Sequence, residues 1–310
     1  MEETDRPIII IGGTRSGTTM LSRLLARAPG LCLWYEPNVI WRIGSAYRDD
    51  DSAFARDARP WVRRRIHRLF DRYTRAHGGA RIVEKTPQNV LRIPFIDAVF
   101  PEAVFVHIFR DGRANLRSQV EQFDSFRPYS LHDPGTKRLI LRRLASIPWW
   151  EWPAYAPRML EGVWRRYVSR GRNGWWGVRY PGWKRDRARL SAPEIAARQW
   201  VVAVERAFAD LEPIGPDRCI HVRYEDITRD PEPWFRRVLD LCDVEADGDF
   251  FRHVREAVHP DSIERWRDEL DPHQLEIAMP IMGRLLHRLG YLEANDAPEP
   301  EDQPAAPRAR

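Results

Sequence analysis

The chain of 310 residues is 43% apolar and 31% charged with a net charge of +5, so it can fold around its own core without disulfide or metal staples. It has no apolar run of about 18 residues to cross a membrane, no visible secretory signal and no CxxC pair among its three cysteines, which predicts a cytoplasmic protein with reduced thiols. Acidic and basic residues are interleaved and no nucleic-acid-binding module is visible, so we expect no nucleic-acid partner and no transmembrane segment.

Short apolar runs alternate with helical patterns along the chain. Strands are predicted at residues 7–11, 31–34, 80–83, 103–109 and 218–222, and helices at 18–28, 52–77, 90–99, 111–121, 193–211 and through most of 231–289. This alternation favours a parallel sheet, because right-handed crossovers return each helix to a face of the sheet. The sequence therefore predicts an α/β fold.

Residues 123–190 break the alternation and contain seven of the 13 tryptophans. We interpret this segment as a helical, tryptophan-rich insertion that covers the active face of a single domain spanning residues 6–292. Its aromatic rings suit either an acceptor that stacks on them or the packed core of a lid. The proline-rich tail, residues 294–310, is predicted to be disordered. The seven tryptophans are Trp149, Trp150, Trp152, Trp164, Trp175, Trp176 and Trp183.

A loop rich in glycine and hydroxyl groups, residues 12–19, joins the first predicted strand to the first predicted helix. Its backbone can curl so that N–H groups point inward, and the helix N-terminus adds partial positive charge, which together favour an anion. Gly12 and Gly17 have the spacing of a Walker A loop, but Thr18 stands where a nucleotide triphosphatase needs lysine. Arg15 supplies a cation instead. The loop therefore suits a terminal group less charged than a phosphate, such as a 5′-phosphosulfate.

Polar side chains follow the other predicted strands, at the sheet edge where open α/β folds bind ligands. Glu36 follows the second strand, Lys85 follows the third, and Arg110 follows the fourth. A carboxylate can deprotonate a hydroxyl, an ammonium is a compact positive charge, and a guanidinium binds phosphate through two hydrogen bonds. Purely structural roles also fit these residues. Glu36 could cap a turn, Lys85 could pair with Glu84, and Arg110 could simply belong to a turn.

The loop sequence at residues 14–19 resembles the 5′-phosphosulfate loop of the sulfotransferases that use 3′-phosphoadenosine 5′-phosphosulfate (PAPS). It is most similar to the branch with arginine in place of lysine, which includes tyrosylprotein sulfotransferases and many bacterial homologues. The resemblance covers about residues 6–292, with the middle poorly matched. It implies a P-loop-type sheet and transfer of a sulfuryl group from PAPS to a hydroxyl or amine, without a metal. Adenosine 3′,5′-bisphosphate would be the product.

The same resemblance implies roles for individual residues. Glu36 would be the base that deprotonates the acceptor, and Lys85 and Arg15 would hold charge on the transferred group. Gln122 departs from the branch, which often has a basic residue there. The resemblance implies donor contacts from the loop residues Gly13, Thr14, Arg15, Ser16, Gly17, Thr18 and Thr19, from Arg110 and Ser118 on the 3′-phosphate, from Tyr224 beside the adenosine, and from Arg265 near the C-terminus.

Other interpretations stay open at this point. Small molecules, carbohydrates, lipid headgroups and peptide tyrosines all fit as acceptors. A P-loop kinase of a small molecule is the main alternative, and it would need ATP and Mg²⁺. A catalytically silent nucleotide-binding protein would bind the donor without product, although the presence of both Glu36 and Lys85 argues against it. His107, inside a predicted strand, is interpreted as a core residue rather than a base.

Overall fold

Five strands form one parallel sheet in the computed structural model, which describes residues 6–125 and 175–292. They are β1 (Ile8–Ile11), β2 (Leu31–Tyr35), β3 (Arg81–Lys85), β4 (Val104–Phe109) and β5 (Cys219–Arg223). The spatial order is β2-β3-β1-β4-β5, so the chain first adds strands on one side of β1 and then on the other. The order reverses beside β1, which is where open α/β sheets bind ligands.

Helices cover both faces of the sheet, and the predicted α/β fold is confirmed. They are α1 (Thr18–Leu25), α2 (Pro60–Ala76), α3 (Ile93–Val99), α4 (Gly112–Ser125), α5 (Trp183–Arg189), α6 (Ala192–Leu211), α7 (Tyr224–Arg229), α8 (Pro231–Leu241), α9 (Gly248–Ala257), α10 (Trp266–Glu269) and α11 (Pro272–Arg288). None of these described helices combines the length and the apolar character needed to span a bilayer.

The central strand β1 is buried on both faces. Its four isoleucines are at most 1% exposed. Its odd-numbered side chains pack with α2, α3 and α6, whereas its even-numbered side chains pack with α1, α8 and α9. A parallel strand covered on both faces is expected to be continuously apolar, which is why this run is readable in the sequence. His107 on β4 is also buried, as predicted for a core residue.

The largest difference from the predicted elements is at the start of α2. The apolar spacing predicted a helix from residue 52, whereas α2 begins at Pro60. A separate 3-10 turn, Ala55–Asp57, precedes it, and the Asp57 carboxylate accepts the Phe54 N–H at 2.9 Å. Proline fits the first turn of a helix, where its missing N–H has no partner to lose. Because residues 54–57 are bonded in this separate turn, α2 begins eight residues later than predicted.

Both ends of the predicted insertion are described. At its start, α4 runs to Ser125, and at its end Trp175 and Trp183 are buried in the core that contains β1. The rings of Phe123 and Trp176 meet nearly at right angles, with 6.3 Å between their centroids. The two ends therefore lie together. The other four predicted tryptophans of the insertion and the predicted disordered tail lie outside the described residues.

Candidate functional site

The loop after β1 curls at the point where the strand order reverses. Arg15 and Gly17 both have left-handed backbones, with φ of 65° and 90°. The ring of Tyr224, the first residue of α7, lies so close to Gly17 that a Cβ at this position would overlap it. Glycine is therefore required for two separate reasons: the sign of φ and the ring packed on its backbone.

The buried side-chain amide of Asn115 fixes this loop on its interior side. Asn115 on α4 donates from Nδ2 to the carbonyl oxygen of Thr14 at 2.7 Å and lies 3.4 Å from Oγ of Ser16. Asn115 and Ser16 are fully buried, so the bonds cannot be exchanged for bonds to water. They fix the turn that carries Arg15. The sequence interpretation missed Asn115, although its position one helical turn before Ser118 puts both on one face of α4.

Arg15 and Arg110 bring two guanidinium groups to one wall of the site. Nε of Arg15 donates to Oγ of Ser118 at 2.6 Å. Arg110 donates to the carbonyl oxygen of Ser262, and its guanidinium lies 4.3 Å from the centre of the Tyr224 ring. Burial lowers the pKa of Arg110, and the nearby charge of Arg15 adds to this lowering. Among the residues that the structure describes, Nε of Arg110 is buried without a hydrogen-bond partner, which leaves a donor for an anion.

Glu36 and Lys85 form an ion pair at the ends of β2 and β3. The strands pair Tyr35 with Lys85, and the N–H of Glu36 donates to the carbonyl oxygen of Lys85 at 2.9 Å. Nζ of Lys85 then lies 2.7 Å from Oε1 of Glu36 and 4.7 Å from the centre of the Tyr35 ring. The side chain of Lys85 is 3% exposed and that of Glu36 is 34% exposed. The carboxylate is therefore the accessible member of the pair.

Glu84 points away from Lys85 and does not form the ion pair that the sequence left open. Its carboxylate accepts hydrogen bonds from Oγ1 of Thr86 at 2.6 Å and from Nδ2 of Asn89 at 2.7 Å. The side chain is fully buried, and loss of hydration raises its pKa from 4.5 to about 7. The fold thus contains a carboxyl group that resists ionisation directly behind the ion pair.

These side chains line two adjoining cavities of about 360 Å³ and about 230 Å³. Arg15, Arg110 and Tyr224 line both, so the two spaces form one elongated site with a cationic middle. The larger cavity is also lined by Thr14, Gly17, Thr18, Thr19, Met20, Tyr35, Glu36, Lys85, Pro87, Gln88, Trp176 and Gly177. The smaller is also lined by Ala114, Arg117, Ser118, Ser262, Arg265 and Trp266. Within residues 6–125 and 175–292, no group of three or more His, Cys, Asp or Glu side chains is placed to hold a metal.

Eleven of the 13 site residues predicted from the sequence line one or both cavities. The two exceptions are Gly13 and Ser16. A Cβ on Gly13 would lie 3.2 Å from Ala203, and Ser16 contacts Asn115, so both face the protein interior. Ser262 lines the smaller cavity without any motif in the sequence to mark it, whereas Trp176, which lines the larger one, belongs to the tryptophan-rich segment singled out in the sequence.

Comparison with known proteins relates this chain to one family. Residues 7–147 and 165–248 match the family model described as "Sulfotransferase family". The chain is 22% identical over 301 residues to a protein-tyrosine sulfotransferase of Drosophila melanogaster, which covers 91% of this chain and 48% of that protein. It is 20% identical over 315 residues to protein-tyrosine sulfotransferase A of Caenorhabditis elegans, which covers 92% of this chain and 67% of that protein. The chain therefore spans about half to two thirds of the length of these relatives.

The fold is similar to that of a solved sulfotransferase domain from the curacin biosynthetic pathway. The TM-score is 0.52 at 12% sequence identity, and the match covers 93% of this chain and 98% of that domain. At so low an identity, the similarity extends to the fold and not to the substrate.

Replacement of Gly17 by alanine tests the contact between the loop and Tyr224. Gly30 is a matched control, because it also has a positive φ, 74°, but no atom lies within 4 Å of the place of its Cβ. Gly30→Ala is expected to cost about 1 kcal/mol of folding free energy from backbone strain. Gly17→Ala is expected to cost about 1–3 kcal/mol more, because the ring must move. If urea denaturation showed that the two variants lose the same folding free energy, the packing of the Tyr224 ring on the loop would be contradicted.

The raised pKa of Glu84 predicts a pH dependence of stability. Between pH 4.5 and about 7 the folded protein keeps a proton on Glu84 that the unfolded chain has lost, so the free energy of unfolding falls as the pH rises through this range. Glu84→Gln is expected to reduce this fall, measured by urea denaturation across the range. Glu102→Gln, at an exposed turn, should leave it unchanged. An identical fall in Glu84→Gln and the parent protein would contradict the assignment.

Proposed function

This chain belongs to the sulfotransferase family, and we propose that it transfers a sulfuryl group from PAPS to an acceptor hydroxyl or amine by in-line displacement. Family membership and fold support sulfuryl transfer in general. The observation that carries the fuller proposal is the elongated site. Its cationic middle, at Arg15 and Arg110, adjoins an accessible carboxylate, Glu36, at one end.

The two cavities suit a donor with an anionic group at each end. In our proposal the larger cavity takes the phosphosulfate, held by the loop N–H groups and the hydroxyl groups of Thr18 and Thr19. The smaller cavity takes the 3′-phosphate, beside Ser118, Arg110 and Arg265. A phosphate there would give the buried Nε of Arg110 the partner that it lacks among the described residues. An ordinary nucleoside triphosphate has no 3′-phosphate to use this contact.

Glu36 is proposed as the general base. Its carboxylate takes the proton of the acceptor hydroxyl, the oxygen attacks sulfur, and the bond from sulfur to the bridging phosphate oxygen breaks. Adenosine 3′,5′-bisphosphate then leaves. Proton removal of this kind is worth about 10²–10⁴-fold in rate. The ammonium of Lys85 and the guanidinium of Arg15 balance the negative charge of the transferred group and of the departing phosphate.

The backbone conformation of Glu36 supports the proposed role as a base, which needs the carboxylate to be held in one orientation. Its φ is 51°, a left-handed conformation that is uncommon for a residue with a side chain. The conformation is held by the bond to the carbonyl oxygen of Lys85 and by the N–H of Asn38, which donates to the carbonyl oxygen of Glu36 at 2.8 Å. Strain of this kind persists only where its surroundings impose it, and it is concentrated at functional sites.

The acceptor side is proposed to include the insertion. We propose that residues 6–292 form one domain and that residues 123–190 contribute to acceptor binding, because Trp176 and Gly177 line the larger cavity. Small molecules, carbohydrates and lipid headgroups fit as acceptors. Peptide tyrosine, which the sequence also left open, is the acceptor in the names of the two relatives. The cytoplasmic location stays a prediction.

Substitution of the proposed base separates binding from turnover. Glu36→Gln is expected to bind adenosine 3′,5′-bisphosphate as the parent protein does, because it keeps the shape of the side chain. Its turnover should fall about 10²–10⁴-fold, because the amide cannot take a proton. Turnover is measured with radiolabelled PAPS and an acceptor found by mass spectrometry as a product with an added sulfo group. Glu102→Gln is the matched control and should keep full turnover; unchanged turnover in Glu36→Gln would end this role.

The choice of donor is tested by calorimetric titration. We expect the protein to bind adenosine 3′,5′-bisphosphate more tightly than adenosine 5′-monophosphate. Arg110→Gln should remove about 1.5–3 kcal/mol of this preference, or about tenfold or more in affinity, since it removes a charged hydrogen bond to the 3′-phosphate. Arg27→Gln, at an exposed turn position two residues after the end of α1, should keep this preference. A rise in melting temperature with ATP and Mg²⁺ but not with the bisphosphate would instead favour the kinase.

A further inference from the structure

One helix carries the excess positive charge of the described structure. Residues 59–77, which contain α2 and its flanks, hold seven arginines and one acidic residue, a net charge of +6. The described residues as a whole, 6–125 and 175–292, hold 38 basic and 34 acidic residues, a net charge of +4. The rest of the described structure is therefore slightly negative, at −2.

The arginines of α2 form a row on its outer face. Arg64, Arg68 and Arg72 are four residues apart and Arg75 follows three residues later, so all four lie within about 80° of the helix circumference. All four are exposed. The row extends about 16 Å along the helix at 1.5 Å per residue. The opposite face is buried in the core through Val62, Ile66, Phe70 and Thr74.

The row is unfavourable within the described fold. Like charges four residues apart repel each other on a helix, and the row contains two such pairs. None of its four side chains forms an ion pair with any described acidic residue, and Asp71 is the one acidic residue of α2. A concentrated charge that destabilises its own helix indicates attraction to something negative outside it.

We propose that this row is a docking surface for a membrane that contains anionic lipid headgroups. A straight row on a convex face suits a flat partner. Tyr47, which is 65% exposed, lies near the N-terminal end of α2, where its hydroxyl is 3.3 Å from Oδ1 of Asp57. Trp61 lies one turn before Arg64 and is half-buried against the core. Tyrosine and tryptophan prefer the boundary between lipid and water. These aromatic groups favour lipid over a nucleic-acid duplex, whose paired bases offer no free face for them to stack on.

The topology determines which end of the docking surface lies nearer to the candidate site. The chain leaves β2 at the edge that carries Glu36 and returns to β3 through α2, so the N-terminal end of α2 lies at that edge. The N-terminal end of the row is therefore the end nearest to the candidate site. The proposal does not rest on sulfuryl transfer, and its test needs no turnover.

The test is flotation of the full chain with phosphatidylcholine vesicles, with and without about a third of phosphatidylglycerol. The parent protein should bind only the anionic vesicles and should be released by high salt, since exposed charges are screened. The triple variant Arg64→Gln, Arg68→Gln, Arg72→Gln should bind about 100-fold more weakly. Its melting temperature should be no lower than that of the parent protein, because repulsion is removed.

A second triple variant is the matched control. Arg27→Gln, Arg237→Gln, Arg284→Gln removes the same charge from exposed sites on three other parts of the surface and should keep most of the binding. Equal losses in the two variants would overturn the proposal, because net charge alone would then explain binding. Failure of the parent protein to float, or equal binding to neutral vesicles, would also overturn it. So would tighter binding to a DNA duplex than to the anionic vesicles, which would assign the row to nucleic acid.

Discussion

The contact between Tyr224 and the bare backbone of Gly17 fixes the geometry of the candidate site. Gly17 belongs to the loop after the central strand, whereas Tyr224 follows the strand at one edge of the sheet. The same ring contacts the guanidinium of Arg110, and its hydroxyl lies 2.6 Å from Oγ of Ser262. One aromatic side chain thus sets the relative positions of the anion loop, the end of β4 and a C-terminal segment. A Cβ on Gly17 would displace this ring and so disturb all three contacts.

A buried polar cluster gives comparable support beside Glu36. Arg92 is almost fully buried and donates from Nε to the carbonyl oxygen of Asp51 at 2.7 Å, and its Nη1 lies 3.4 Å from Oδ1 of Asn38. The Asp51 carboxylate in turn accepts the N–H of Arg179 at 2.8 Å. Buried charges require such partners, because removal of one leaves the other unpaired. The cluster therefore links the turn after Glu36 to the segment that carries Trp176.

The sequence predicted the parts of this structure that are local. β1 is readable because a strand buried on both faces must be apolar throughout, and the loop is readable because anion binding restricts its residue types. The pairing of Lys85 with Glu36 rather than Glu84 was not readable, since it depends on the register between β2 and β3. Ser262 was also missed, because its contact with Arg110 joins positions 152 residues apart.

The ring contact between Phe123 and Trp176 has a consequence for how such a protein can change over time. Fifty-three positions separate these residues in the sequence, yet their rings are in contact. The entropy of closing a loop grows only with the logarithm of its length, at about 0.6 kcal/mol for each doubling. Changes in the length of the chain between these two positions are therefore inexpensive in loop-closure entropy, and neither Arg15 nor Arg110 belongs to that stretch. Relatives or engineered variants can therefore differ in the length of this stretch while the loop after β1 and the ion pair of Glu36 and Lys85 stay unchanged.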